Sequence, residues 1–498
     1  MNVHTKTLSI LLPTLILPVG CFEDDAGRDD DMMGMDDPSG MDGADEEQPS
    51  QPLEPEPGMA MIRVIHGAPR APDVDVYVKG STEPVVTDLA YGDASEYLEV
   101  PAGRYEFEVR AAGTSPYDEA AYETGVLELA DGAVISALAA GRLGSTGDEA
   151  FRVLPLLEGF DDAAPGQTQV RIVHAGSDAP TVSIDVDDDG RIELDGLTRF
   201  SDTGAGGVGL PAGSALQVAI GADGERVTAF TTPELPEGRN LMIIATGLLG
   251  ELGREDDGFA LLVVGAEGSL GFIRQNPIVH ALHASPDAAE VDLCVGDTVL
   301  ASHLEFGKLA RFQVPPGAYQ VDFYAAPSNC AGTPITSDSL PELDAGERYL
   351  AIATGEVQPE TEEPPLQLIA FRDGFDLDSP ENAIFNVVHA ASAPPVDVGL
   401  VTGTTIEGGN LLEAGLKWPG VSDTFAVQPF TYQIGMAASG APLPLTPVAS
   451  FHVDAYEGLR AFIVAAGDLS PELGEAPFRL LSIDTATTPW TVDTYLAN

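Results

Sequence analysis

Lysine is nearly missing from this chain: Lys6, Lys79, Lys308 and Lys417 are the only four in 498 residues. Arginine brings the basic total to 23 against 79 acids, a net charge of −56. A polyanion of this kind repels nucleic acid and anionic lipid, which argues against both as partners. It favours divalent cations, cationic partners or a salty medium, although acidic side chains also serve simply to keep an exposed protein soluble. Cysteine is scarcer still, with three residues and no CxxC pair. The catalytic signatures G-x-S-x-G and H-E-x-x-H are absent. Carboxylate pairs are too common here to be singled out as general acid and base. Beyond the first 20 residues no apolar run is long enough to cross a bilayer, and no stretch shows helical periodicity.

What is present begins with an address. MNVHTK supplies a short polar start, and TLSILLPTLILPVG an apolar run too short for a membrane span, the pattern of a signal-peptide core. The run ends in Leu17-Pro18-Val19-Gly20-Cys21, which resembles the lipobox of bacterial lipoproteins, in which the cysteine is lipidated and becomes the mature N-terminus. Pro18 stands where that motif prefers leucine. The alternative is an ordinary cleaved signal with an incidental cysteine. Residues 22–59 carry 14 acids, one arginine and repeated Gly and Pro. Such a segment buries too little apolar surface to offset its ordering entropy, so a disordered acidic tether is expected. Cys294 and Cys330 form an even pair in an exported chain. They either join across a loop of about 37 residues, a bridge worth roughly 3–4 kcal/mol, or remain two free thiols.

From residue 60 the chain repeats itself. IRVIHGAPRAP, VRIVHAGSDAP, VHALHASPDAA and FNVVHAASAPP place His66, His174, His283 and His389 at spacings of 108, 109 and 106 residues. Each is followed by an alternating strand: VDVYV, VSIDV, VDLCV and VDVGLV. A turn and strand come next, as in VPAGRYEFEV, and then a continuous apolar run: GAVISALAAG, GRNLMIIATG, GERYLAIATG and GLRAFIVAAG. A period this long suits a self-contained domain and not a solenoid. Each unit holds seven or eight short strands between Gly, Pro, Asp and Ser clusters, mixing clean alternation with two-sided apolar runs. The expectation is all-β: four tandem Ig-like or transthyretin-like β-sandwich domains at 60–165, 167–274, 276–377 and 382–498. The linkers DDAAPGQT, RQNP and DLDSPEN are short, so a rod with limited bending is expected.

VIHGAPRAPDVDVYV, YLEVPAGRYEFEVR and an apolar strand ending in glycine together resemble the bacterial family called domain of unknown function 4397. The resemblance covers nearly all of residues 60–498 and is strongest in the first and third repeats. The second has Ser183 where the pattern expects Asp, and the fourth lacks the PAG turn. The resemblance implies an Ig-like fold and a tandem arrangement on exported, surface-anchored proteins. It implies no activity.

Four histidines suggest ligands, but a metal needs several groups converging on one point, and each of these sits in a different repeat. A buried imidazole holding the loop after it is the reading adopted. His280 and His283 lie three apart and face opposite sides of a strand, so they form no metal pair. Gly204–Gly209 spells G-x-G-x-x-G, but a strand follows where dinucleotide binding needs a helix. SIDVDDDGRIEL offers Asp185, Asp187 and Asp189 with Gly190, half of a calcium loop. The twelfth position is Gly196 where that loop requires glutamate, and strands flank it where helices belong. The stretch reads as a hairpin turn first and as a calcium site second.

The expected function is that of a non-enzymatic, lipid-anchored protein of the outer membrane or cell surface, or alternatively a secreted or periplasmic one. Its repeats would bind a protein or polysaccharide ligand, or act as spacers. A calcium-dependent adhesive rod, and a hydrolase acting at one divergent repeat, are the alternatives.

Overall fold

The computed structural model describes residues 53–359, 363–377 and 379–497. The expected signal segment, Cys21 and most of the acidic tether lie outside the described residues. Within them nearly all the regular structure is strand, and a 3-10 turn at Gly147–Glu149 is the one helical element.

Each repeat opens with a strand ending on its histidine: Met59–His66, Gln167–His174, Ile278–His283 and Ala383–His389. That histidine strand pairs in parallel with the late apolar strand of the same repeat, Val134–Ala140, Asn240–Thr246, Arg348–Thr354 or Arg460–Ala466. The register is common to all: His66 faces Ala139, His174 Ala245, His283 Ala353 and His389 Ala465. Parallel neighbours cannot be joined by a tight turn, so the chain must cross away and return. The residues in between build a second, antiparallel sheet around the strand that follows the histidine: Val74–Val78, Val182–Asp185, Val291–Val295 or Val396–Thr402.

The two sheets of a repeat face each other across one hydrophobic cluster. In the first repeat Ile62 and Ile135 of one sheet meet Val76 and Phe107 of the other. In the third, Val279 and Tyr349 meet Leu293 and Phe323. The all-β class with sandwich-like sheet pairs is therefore the architecture the chain adopts. The second and fourth repeats add one strand beyond the common plan, Gly268–Arg274 and Thr491–Leu496, each a hairpin partner of the preceding strand.

The two-sided apolar runs have a cause that alternation within a single sandwich does not supply. Every residue of Val134–Ala140 and of Arg460–Ala466 is buried. One face of these strands meets the second sheet of its own repeat, and the other meets the first sheet of a neighbouring repeat. Ile65, Leu138 and Leu156 pack against Val173, Ile244 and Leu262. In the same way Leu282, Leu350 and Ile352 pack against Val388, Phe462 and Val464. Fully burying side chains of this kind is worth about 1.5–3 kcal/mol each, so these seams are core in energetic terms.

Cys294 and Cys330 are joined, with their Cα atoms 5.8 Å apart, which removes the free-thiol alternative. The bridge fastens the loop around Cys330 onto the outer face of the strand Val291–Val295, and chain entropy alone makes it worth about 3–4 kcal/mol.

Candidate functional site

The four repeated histidines share one geometry. All are at most 1% exposed. Nε2 lies 3.2 Å from the Pro72 carbonyl in the first repeat, 2.8 Å from Pro180 in the second, 3.0 Å from Ala289 in the third and 3.1 Å from Pro394 in the fourth. A carbonyl only accepts, so Nε2 carries the proton and donates it. Nδ1 is then the acceptor, taking the Ala68 N–H at 3.4 Å and the Ser285 N–H at 3.3 Å. Burial is the largest influence on each ring and holds it below its ordinary pKa; the carbonyl contacts pull the other way without prevailing. These are neutral clamps on the loop that leaves the strand. Among the described residues, no convergent set of ligating side chains includes any of them.

The aspartates of the V-D strands are also structural. Their neighbouring edge strand carries a bulge in every repeat, with the extra residue in the left-handed region: Asp88, Gly196, His303 and Gly415, at φ of 50°, 72°, 52° and 68°. A bulge leaves an N–H out of the ladder. Asp75 accepts it from Asp88 at 2.9 Å, Asp292 from His303 at 2.9 Å, and Asp397 from Gly415 at 2.7 Å. Asp292 also takes the N–H and hydroxyl of Ser328 at 2.6 and 2.8 Å. Burial pushes its pKa up, but these donors together outweigh it and hold the carboxyl below the usual range.

Two residues further along the same strand the repeats diverge, and each covers the outer sheet face differently. Tyr77 lies under the Arg110 guanidinium, 5.7 Å from its ring centre. Cys294 is bridged to Cys330. Gly399 leaves room for Ile406, whose Cγ2 lies 2.4 Å from where a Cβ would stand; Ile406, Ala437 and Leu445 form a small apolar cluster there. In the second repeat the position is Asp185, only 4% exposed, which accepts the Asp189 N–H at 3.2 Å and the Gly190 N–H at 2.8 Å.

Asp185, Asp187 and Glu193 bring carboxylate oxygens within 4.8 Å of one another. This corrects the expected triad at its third member. Asp189 accepts the Arg191 N–H at 2.8 Å, and its other oxygen lies 4.0 Å from the Arg191 guanidinium. A calcium loop spirals so that alternate residues converge, whereas here the chain returns as a hairpin with Ile184 opposite Leu194. That return carries Glu193 back beside residues 185–187. Desolvation, and then the charges of Asp189, Glu193 and Asp185, push the Asp187 pKa up. Asp188, between them, is held by Arg226 through two contacts of 2.8 and 2.7 Å.

A second acidic group joins Glu356 and Glu363 of the third repeat to Asp468 of the fourth. Glu356 and Asp468 each follow the glycine that ends the apolar run, so equivalent positions meet across the seam. Burial and then the neighbouring Glu363 raise the Glu356 pKa. The signal in the sequence is an acid after that glycine in ATGEV and AAGDL, where the earlier repeats have AAGRL and ATGLL.

His280 lies apart from the clamps. It stacks on Trp490 with ring centres 3.8 Å apart and planes 8° from parallel. Burial first, then Arg311 and Arg348, depress its pKa to about 3. At Gly204–Gly209 the chain turns into the strand Val208–Pro211, with no helix to receive a phosphate.

The family model described as Domain of unknown function (DUF4397) matches residues 60–185 and 277–399. No curated protein matches the chain. Among solved structures, the Bacillus anthracis TIE protein aligns over 82% of this chain and 67% of its own, at 8% identity and a TM-score of 0.14.

The His280 ring yields a prediction. Above its unfolded value of 6.5 the ring is neutral folded or unfolded; below it the unfolded chain gains a proton that the fold refuses until about pH 3. Stability is therefore lost as pH falls through that window. His280→Phe keeps the stacking and removes the titration. Between about pH 8 and about pH 5 the unmodified protein should lose about 2 kcal/mol more than the variant in denaturant unfolding; equal losses would show that the ring titrates normally.

Proposed function

Because the chain belongs to the DUF4397 family, we propose that it is a non-enzymatic protein of the cell envelope, held by a lipid on Cys21, whose repeated sandwiches present variable outer faces to a ligand or space it from the membrane. The observation behind this reading is the division of labour along the strand after each histidine. The recurring histidine and aspartate serve the scaffold, and the residue two positions beyond the aspartate site, Tyr77, Asp185, Cys294 or Gly399, anchors a different cover in each repeat. Sites of recognition on sandwiches lie in such loops.

The charge supports the choice of partner class. Burial withdraws only four arginines and eight acids, too few to offset 79 acids against 23 basic residues, so the outer surface stays strongly acidic. Protein or neutral polysaccharide ligands suit such a surface, and nucleic acid does not. The location proposed is the outer membrane or cell surface, with secretion or the periplasm as the alternative.

A second reading, a calcium-braced spacer, is favoured by the Asp185, Asp187 and Glu193 group. It occupies the place where the third repeat has its disulfide, and a cation there would brace the turn in the same manner.

Cys21→Ala should abolish incorporation of labelled lipid and move the protein from the membrane to the soluble fraction; retained label would refute the anchor. The full chain, passed over immobilised envelope polysaccharides and envelope protein extracts, should be retained by one class in a manner lost when the outer loops are exchanged. Retention by neither would leave spacing as the role. Calcium at about a hundredfold excess over its Kd should stabilise the second repeat by about 2.7 kcal/mol, an effect absent in Asp187→Asn. A melting transition identical in calcium and in chelator would eliminate the brace.

A further inference from the structure

We infer that the four repeats are docked as two pseudo-twofold dimers within one chain, the first repeat with the second and the third with the fourth, through a self-complementary sheet face whose proper partner is another copy of the repeat. The same elements meet in both pairs. In one, Leu138 of the first repeat and Ile244 of the second lie on equivalent apolar strands and share a single buried cluster. In the other, Ile352 and Val464 do the same. An interface in which each side presents the same surface is the arrangement of a twofold homodimer.

Two further contacts repeat with it. Thr246 donates its hydroxyl to the Gly67 carbonyl at 2.7 Å, and Thr354 donates to Ala390 at 2.5 Å; Gly67 and Ala390 each directly follow the clamp histidine of the opposite repeat. Arg63 and His280 occupy the same position, three before the clamp histidine of their own repeat. Arg63 donates to the Gly265 carbonyl at 2.6 Å and His280 stacks on Trp490, each reaching the terminal hairpin of the partner repeat. Among the described residues only the second and fourth repeats have that additional strand.

The junction between the second and third repeats differs in kind. It is held by polar contacts: Gln313 to the Thr228 hydroxyl at 3.2 Å, the Ala229 N–H to Gln313 at 2.9 Å, and Arg254 to the Asp373 carbonyl at 2.7 Å. Among the described residues no hydrophobic cluster spans it. The family match agrees independently. It occurs twice, beginning at 60 and 277, and each time it covers one odd repeat and runs on into the aspartate strand of the following even repeat. The recurring block is longer than one sandwich.

Two measurements on the full chain test this. A protease site inserted at 161–165, between the first and second repeats, should yield fragments that co-elute as one species without denaturant after cleavage. Separation on cleavage would overturn the inference. In the uncut chain, Leu138→Ala should raise amide exchange by about thirtyfold or more in Gln217–Ala222, on the far sheet of the second repeat, while leaving the third and fourth unchanged. Exchange confined to the first repeat, or spread equally through all four, would refute pairing.

Discussion

A sheet with two apolar faces requires two coverings, and that requirement organises this molecule. The histidine strand and the apolar strand beside it form the centre of the first sheet in each repeat. Their inward side chains are covered by the second sheet of the same repeat. Their outward ones, Ile65 and Leu138 among them, are as fully buried, because the corresponding sheet of the next repeat lies against them. Left wet, such a face would cost several kcal/mol and invite aggregation. Tandem repetition supplies its covering from within the same chain.

The parallel pairing at the centre of that sheet also explains why the histidine recurs. The strand must leave the first sheet and cross to the second within a few residues, and the crossing loop has little regular hydrogen bonding of its own. A buried neutral imidazole reaching the carbonyl five or six residues on fastens it in every repeat. The aspartate does similar work at the opposite edge, capping the N–H that the bulge withdraws from the ladder. The second repeat replaces it with Ser183 and places Gly196 at the bulge, a residue for which the left-handed conformation carries no strain. With the scaffold fastened by these two residues, the next outward position varies freely, and there the repeats acquire separate chemistry.

Much of this was legible from residue order. The period, the alternation and the Gly, Pro and Asp punctuation identified an all-β repeat, and the even pair of cysteines pointed to the bridge. The clamp role of His66 followed from its recurrence at the end of similar strands. The acidic turn was legible only in part. Asp185 and Asp187 could be picked out by spacing, but Glu193 joins them because a hairpin pairs across its turn, where a helical calcium loop converges in sequence. Of the seam group, only an acid after the glycine at Glu356 and Asp468 was written in the sequence; that these two meet, with Glu363 beside them, depends on the docking of the third repeat on the fourth. The stacking of Trp490 on His280, more than 200 residues apart, likewise has no local signature.

By itself the sequence determined the local and periodic properties: strands from alternation, repeats from recurrence, and an acidic surface from composition. These depend on short-range sterics and on whether a side chain prefers water, both of which are written residue by residue. Only the tertiary structure decided which apolar face meets which, and so which carboxylates and rings become neighbours. Burial removes an apolar surface from water whatever covers it, and a non-directional force of that kind names no partner; shape and register across the seam make the choice.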